Sequence, residues 1–191
     1  VEGGIAVGKS TLLRGLHSLG YRVHPEPLLL WGDLLERYYT NKKKYGCELQ
    51  ELILAGFQQD GNSFTGGLLE RSPSGSRVFI NVMRAEGNLT PEEFDSLILT
   101  TEHTWLSDVT IFVQGDPTTG MNRILNRQQT GDQGITREYV KQIHDAYNEA
   151  LSPSSGIDWG QLHCVDGLQS AAQIQDQVQQ LLSSGFHCRR C

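Results

Sequence analysis

Eight residues near the start of the chain, Gly3-Gly4-Ile5-Ala6-Val7-Gly8-Lys9-Ser10, narrow the fold more than any other stretch. They fit the pattern G-x-x-x-x-G-K-[ST], which has a definite physical basis. Glycines let the backbone curl until its N–H groups converge on phosphate oxygens. The helix that starts near Lys9 adds the positive end of its dipole. In such a loop the lysine reaches the β- and γ-phosphates, and the Ser10 hydroxyl, with Thr11 beside it, meets Mg2+. The motif requires a strand before it and a helix after it. "VEGG" is a strand stub, and "STLLRGLHSLG" puts Leu12, Leu13 and Leu16 on one side and Gly20 at the stop. The chain opens at Val1, inside what should be a strand, so the first strand reads as trimmed. Gly3 to Thr11 is the expected nucleotide site.

Strand and helix signals alternate along the rest of the chain, which predicts an α/β fold with a mostly parallel sheet. "YRVH" reads as a strand, "LLLWGDLLERYY" and "CELQELILAGF" as helices, and "FTGGLLE" as a short strand ending at Glu70. Ser72 and Thr90, each followed by proline, are N-caps of two helices. "DVTIFVQG" is the clearest buried strand, and Asp116 caps the helix after it. "TGDQGI" is a polar loop. "TREYVKQIHDAYNEAL" keeps Tyr139, Val140, Ile143, Tyr147, Ala150 and Leu151 on one face. "LHCVD" is a last strand and "SAAQIQDQVQQLL" a last helix. Residues 1–191 are read as one domain, with a tail from about 184.

The formal net charge of −6 argues against a broad nucleic-acid groove. No apolar run approaches the ~20 residues of a membrane span, so no membrane partner is expected. Cys47, Cys164, Cys188 and Cys191 are too few and too scattered for a disulfide framework. An intracellular setting is expected: the cytoplasm, or a mitochondrion if a targeting segment has been removed. The terminal "HCRRC" is only half of a zinc motif and lacks the aliphatic residues of a prenylation box, so it reads as a solvated tail.

The loop names a donor and leaves the acceptor open. A GTPase would need an N-K-x-D motif, and "NKKK" at Asn41 to Lys44 is not one. A small-molecule kinase needs a base near the acceptor hydroxyl, cations on the γ-phosphate and a lid against water. Three candidates lie in order. Glu26 in "PEP" follows the second strand, at the sheet edge that faces the ligand crevice. Glu70 and Arg71 follow the third strand, where an acid can hold Mg2+ and an arginine can clamp an oxygen. Arg123 and Arg127, spaced i,i+4, share a helix face before the polar loop, and an anion between them would relieve their repulsion. Each also fits a plainer role: a solvated turn acid, a surface ion pair, two solvated arginines.

Taken together, "EGGIAVGKST", "EPLLLW" (26–31) and "ERS" (70–72), at this spacing, resemble the deoxynucleoside kinases of the deoxycytidine, deoxyguanosine and mitochondrial thymidine kinase type, with herpesvirus thymidine kinases more distant. The likeness runs to about Leu151. It implies a P-loop kinase fold: a parallel five-stranded sheet flanked by helices, with an arginine-bearing lid over about 123–135. It implies ATP as donor, Mg2+ as cofactor, a deoxynucleoside as acceptor, and a homodimer through helices. By position, Glu26 corresponds to the base for the 5′-hydroxyl and Arg71 to the residue orienting it, with Glu70 near the metal. Trp31 corresponds to the cleft tryptophan, Tyr39 (Tyr38 beside it) to the 3′-hydroxyl ligand, and Gln50 to the glutamine that pairs with the base edge. Arg123 and Arg127 fall on lid arginines, and Asp132 on a lid acid that reaches the 3′-hydroxyl.

Several positions depart from the family pattern. Gly4 stands where asparagine is usual, and Gln129 where another lid arginine is common. The aromatic expected to stack on the base is Phe79, one position early, with Ile80 at the strict position. Ser76 replaces the aspartate, and Phe57 the arginine, of deoxycytidine kinase-like members, which points toward thymidine or broad pyrimidine use. Two other readings stay open: a nucleoside monophosphate kinase, with Arg37 as an additional cation for an anionic acceptor, and a non-catalytic subunit that keeps the fold.

Overall fold

The computed structural model describes residues 1–63, 66–127 and 132–184. Its elements run α1 (Lys9–Ser18), β1 (Val23–His24), α2 (Leu28–Thr40), α3 (Lys42–Ser63), β2 (Leu68–Leu69), α4 (Pro73–Ala85), α5 (Pro91–Glu102), β3 (Val109–Gln114), α6 (Pro117–Arg127), α7 (Arg137–Ala150), β4 (Gln161–Asp166) and α8 (Ala171–Ser183). A 3-10 turn over Pro153–Ser155 follows α7. Gln129, the middle of the expected lid, and the "HCRRC" tail lie outside the described residues. None of the described helices is long and apolar enough to cross a membrane.

The predicted α/β alternation is present, but among the described residues no single five-stranded sheet forms. Two parallel pairs form instead, β1 with β2 and β3 with β4. Between them the opening residues supply a single parallel bridge, Glu2 to Phe112. Val1 O accepts from Arg71 N at 3.0 Å on one side, and Glu2 N donates to Ile111 O at 2.8 Å on the other. The strands beside the site are short for local reasons. Pro25 and Pro27 follow β1, while Gly67, at φ 139°, precedes β2 and Ser72-Pro73 follows it.

The three predicted caps form, and Thr136 adds an unpredicted one. The Ser72 side chain accepts from Gly75 N, Thr90 and Glu93 form a capping box, Asp116 Oδ1 accepts from Thr118 N and Thr119 N, and Thr136 caps α7. α3 is longer than its apolar repeat and takes in the lysines from Lys42. Apolar burial falls into two clusters. Val7, Leu12, Leu16, Ile111, Val113 and Val178 pack α1 and α8 against the β3–β4 pair. Trp31, Tyr38, Leu54, Ile80, Ile143 and Tyr147 belong to the larger cluster between α2, α3, α4 and α7. The parallel register Val23↔Leu68 and His24↔Leu69 brings the chain beyond β1 and beyond β2 out at one edge, beside the loop after Glu2.

Candidate active site

At that edge lies a cavity of about 730 Å³. It is lined by Ile5 to Thr11, by Glu26, Trp31 and Tyr39, by Gln50, by Glu70, Arg71 and Phe79, and by Arg123, Arg127 and Asp132. Residues predicted from five separate stretches of sequence therefore converge on one cleft. Arg37 does not; it is exposed on α2 and absent from the lining.

The loop is shaped by residues in unusual backbone conformations. Gly3 has φ 138° and Gly8, the N-cap of α1, has φ 115°. Both values favour glycine. Gly4 is different: an added Cβ would meet only Val7 Cγ1, at 3.6 Å. The residue that departs from the family pattern is thus one that the fold does not require to be glycine. Lys9 is buried, and its Nζ donates to Gly4 O at 2.7 Å and Gly3 O at 3.2 Å. Ser10 Oγ donates to Glu70 Oε1 at 2.8 Å, so the two residues predicted for Mg2+ are already in contact. Both present oxygen, the donor type that Mg2+ selects.

Burial lowers the Lys9 ammonium to about 8, with Arg71 adding to the effect and Glu70, Glu26 and Glu2 opposing it. The sign follows from linkage. The folded value lies below the ordinary 10.5, so the folded protein gives up this proton more easily than the unfolded chain. The stability cost is present in full below pH 8 and fades as pH rises toward 10.5. A polyphosphate requires the charged form. Its affinity is expected to fall about tenfold per pH unit above pH 8, with proton uptake on binding. Calorimetry at pH 7, 8 and 9 in buffers of different ionisation enthalpy measures this, and a pH-independent affinity would refute it.

Arg71 is the hub of the contacts around Glu26. Its Nε donates to Glu26 Oε1 at 3.1 Å, and its Nη1 donates to the Tyr147 hydroxyl at 3.0 Å. The guanidinium carbon sits 4.6 Å from the centre of the Phe79 ring. Burial works against its charge, but Glu26, Tyr147, Glu2 and Glu70 outweigh burial and raise its pKa. Its backbone is left-handed, at φ 70°. This is an uncommon conformation for a non-glycine residue, and it turns the side chain into the cleft straight after β2.

Helix period selects the walls. Ser76, Phe79 and Met83 line the cleft from α4 at i, i+3 and i+7, while Ile80 is fully buried in the core. Phe79 is therefore the cleft aromatic, although Ile80 holds the strict sequence position. Leu49, Gln50 and Ile53 face the cleft from α3. Gln50 is 3% exposed, and its Oε1 has no hydrogen-bond partner among the described residues. Phe57 lies away from the cleft, edge-on to Trp105. Tyr39 stands under the last residues of the polar loop, where a Cβ on Gly134 would collide with it.

The arginines of α6 each engage acceptors within the protein. Arg123 Nη1 donates to Val7 O at 2.8 Å and Ala6 O at 3.2 Å, and its Nη2 to Gly167 O at 3.1 Å, bracing the loop. Arg127 grips Asp132 in a two-pronged ion pair of 2.7 and 2.8 Å, and that hydrogen bond is the first cause of its raised pKa. Each like charge thus has its own acceptors in the protein. Glu2 and Tyr147, which do not line the cavity but support Arg71 from behind it, are not read from the sequence. Tyr147 sits on the apolar face of α7 and Glu2 in the strand stub; an acid inside a buried strand was the one available signal.

The family model of deoxynucleoside kinases matches residues 1–182. A Frog virus 3 (isolate Goorha) protein assigned to deoxynucleoside kinases is 32% identical over 152 residues, covering 76% of this chain and 78% of its own length. The thymidine kinase of Ictalurid herpesvirus 1 (strain Auburn) is 27% identical over 204 residues, covering all of this chain and 85% of its own. Among solved structures, deoxyadenosine kinase from M. mycoides superposes with a TM-score of 0.84 at 20% identity, over 96% of each chain.

Proposed function

The chain belongs to the deoxynucleoside kinase family, and from that premise we propose that it transfers the γ-phosphoryl of ATP to the 5′-hydroxyl of a pyrimidine deoxynucleoside, thymidine before the others. The observation that carries the acceptor class is the buried, unpartnered Oε1 of Gln50 inside the cleft. A buried acceptor without a donor is costly, and a ligand N–H relieves it. The amide also has N–H groups to donate, so it suits an edge where a carbonyl adjoins an N–H, as in thymine. Cytosine adds an amino group with a further hydrogen to satisfy. The facing residues on α3 and α4, Leu49, Ile53, Ser76, Phe79 and Met83, include no carboxylate for it.

In this reading Glu26 takes up or orients the 5′-hydroxyl proton and Arg71 holds both in line. Trp31 and Phe79 flank sugar and base, and Tyr39 and Asp132 receive the 3′-hydroxyl. Ser10 and Glu70 would hold Mg2+, which when bound neutralises charge on the phosphate oxygens. Lys9, Arg123 and Arg127 steady the γ-phosphoryl as charge moves to the leaving oxygen. For Arg123 this means exchanging loop carbonyls for phosphate oxygens. The segment around 123–135 acts as the lid that excludes water. The exposed position of Arg37 gives no support to an anionic, monophosphate acceptor.

The test is a side-by-side assay of thymidine, deoxycytidine, deoxyadenosine, deoxyguanosine and thymidine monophosphate. The highest kcat/KM is expected for thymidine. Gln50→Leu is expected to cost it about tenfold to a hundredfold, as a buried polar contact to the base is lost. Preference for a purine, or for the monophosphate, would refute the assignment.

A further inference from the structure

Glu2 is 1% exposed, in the bridging segment between the strand pairs. Both of its carboxylate oxygens accept hydrogen bonds. Ser72 Oγ donates to Oε1 at 2.6 Å, and the Tyr147 hydroxyl donates to Oε2 at 2.8 Å. That hydroxyl in turn accepts from Arg71 Nη1 at 3.0 Å, and Arg71 Nε donates to Glu26 at 3.1 Å. A continuous hydrogen-bonded chain thus runs Ser72–Glu2–Tyr147–Arg71–Glu26, buried at its first three members and half-buried at Arg71 and Glu26, from the first turn of α4 to the acceptor side of the cleft. Space is made for it: a Cβ on Gly75 would fall 2.5 Å from Glu2 Oε2. The Tyr147 ring is held by Phe112, Phe79 and Trp159, with ring centres 5.6 to 6.3 Å away. Burial, and then the charge of Glu2, raise its phenol well above the ordinary value, so it stays protonated and keeps donating to Glu2.

We propose that Glu2 and Tyr147 are positioning residues for phosphoryl transfer: the Glu2 carboxylate fixes the rotation of the Tyr147 hydroxyl, and that hydroxyl fixes Arg71 against Glu26. The proposal rests on the reading that Glu26 and Arg71 act on the acceptor hydroxyl. It explains why a carboxylate is buried in the middle of the fold, where a strand residue facing α4 would ordinarily be apolar. Three acceptors, Glu26, Tyr147 and Gly3 O, surround a guanidinium on a left-handed backbone, and losing one frees it to turn. Loss of alignment at an in-line transfer is expensive in rate rather than in binding.

The experiment compares Tyr147→Phe, Glu2→Gln, Arg71→Lys and the Tyr147→Phe/Arg71→Lys double variant, using thymidine, ATP and Mg2+. Tyr147→Phe keeps the ring and its packing. We expect kcat to fall about tenfold to a hundredfold, with KM for ATP and its calorimetric affinity within twofold of wild type. The double variant is expected to be no slower than Arg71→Lys alone, because the two residues act as one unit. A role in packing alone would change Tm and leave kcat in place, and its losses would add. If Arg71→Lys is crippled while Tyr147→Phe keeps kcat within twofold, or if the losses multiply, the proposal is overturned and the reading of Arg71 stands. An unaffected Arg71→Lys overturns both. Glu2→Gln, if it folds, is expected to reproduce the Tyr147→Phe defect; wild-type kcat in that variant would remove Glu2 from the chain.

Discussion

Replacing Glu26 with glutamine is expected to lower kcat by ~10²–10⁴-fold while ATP affinity changes by less than about threefold. The substitution is nearly isosteric. The amide oxygen can still accept from Arg71 Nε, which now donates to Glu26 Oε1 at 3.1 Å, so the acceptor side keeps its shape. What disappears is the negative charge and the capacity to take a proton from the attacking hydroxyl. The donor side is held by other groups, Lys9 on the loop carbonyls and Ser10 on Glu70. Single-turnover assays with saturating thymidine separate chemistry from product release, and calorimetry with ATP reports the donor side. A single-turnover rate within threefold of wild type would show that Glu26 is not the base. A parallel loss of ATP affinity would show instead that its charge serves the triphosphate.

The second large effect is expected from Gly3→Ala. An added Cβ would lie 2.5 Å from the Val113 carbonyl oxygen and 3.0 Å from Val7 Cγ2, on a backbone at φ 138°. The first contact is with backbone and has no way to relax except by parting the opening segment from β3. Val113 N donates to Glu2 O at 2.9 Å in that same bridge. Crowding and backbone strain each cost about 1–3 kcal/mol. For a domain of this size that corresponds to a fall in Tm of roughly 5–15 °C. Because Gly3 O is also an acceptor for Lys9, ATP affinity should drop more than about tenfold. Gly4→Ala is the control. Its Cβ meets ordinary space, and a Tm within about 2 °C of wild type is expected. Equal effects at the two positions would mean that the loop is insensitive to the Val113 contact.

Much of the cleft can be read from the sequence because its parts are short and local. A phosphate loop must be followed by a helix, and residues just beyond parallel strands must meet at one edge. Those two rules alone bring Lys9, Ser10, Glu26, Glu70 and Arg71 together. The remainder depends on distance along the chain. Tyr147 and Glu2 are 145 positions apart and share no pattern, so their hydrogen bond becomes visible only once α7 has packed against the sheet. Phe79 or Ile80 is a question of helix phase, and the rotation of α4 answers it for Phe79. The arginines of α6 were paired by spacing, yet spacing is silent about nearby carbonyls, and Arg123 found three of them. β1 and β2 are shorter than their sequence pattern suggests because turn residues crowd them from both sides.

Arg71 has a consequence for the descent of such proteins. Its left-handed backbone at φ 70° carries a standing cost of about 1 kcal/mol, which glycine or asparagine would largely avoid. The backbone cost therefore pushes against arginine here, and on the reading that Arg71 serves phosphoryl transfer, selection on turnover keeps it. A duplicated copy of this gene released from catalysis should lose Arg71 early and gain glycine or asparagine, while the apolar positions of α1 and α8 persist. Position 71 would then date the loss of activity in a lineage whose fold still looked intact.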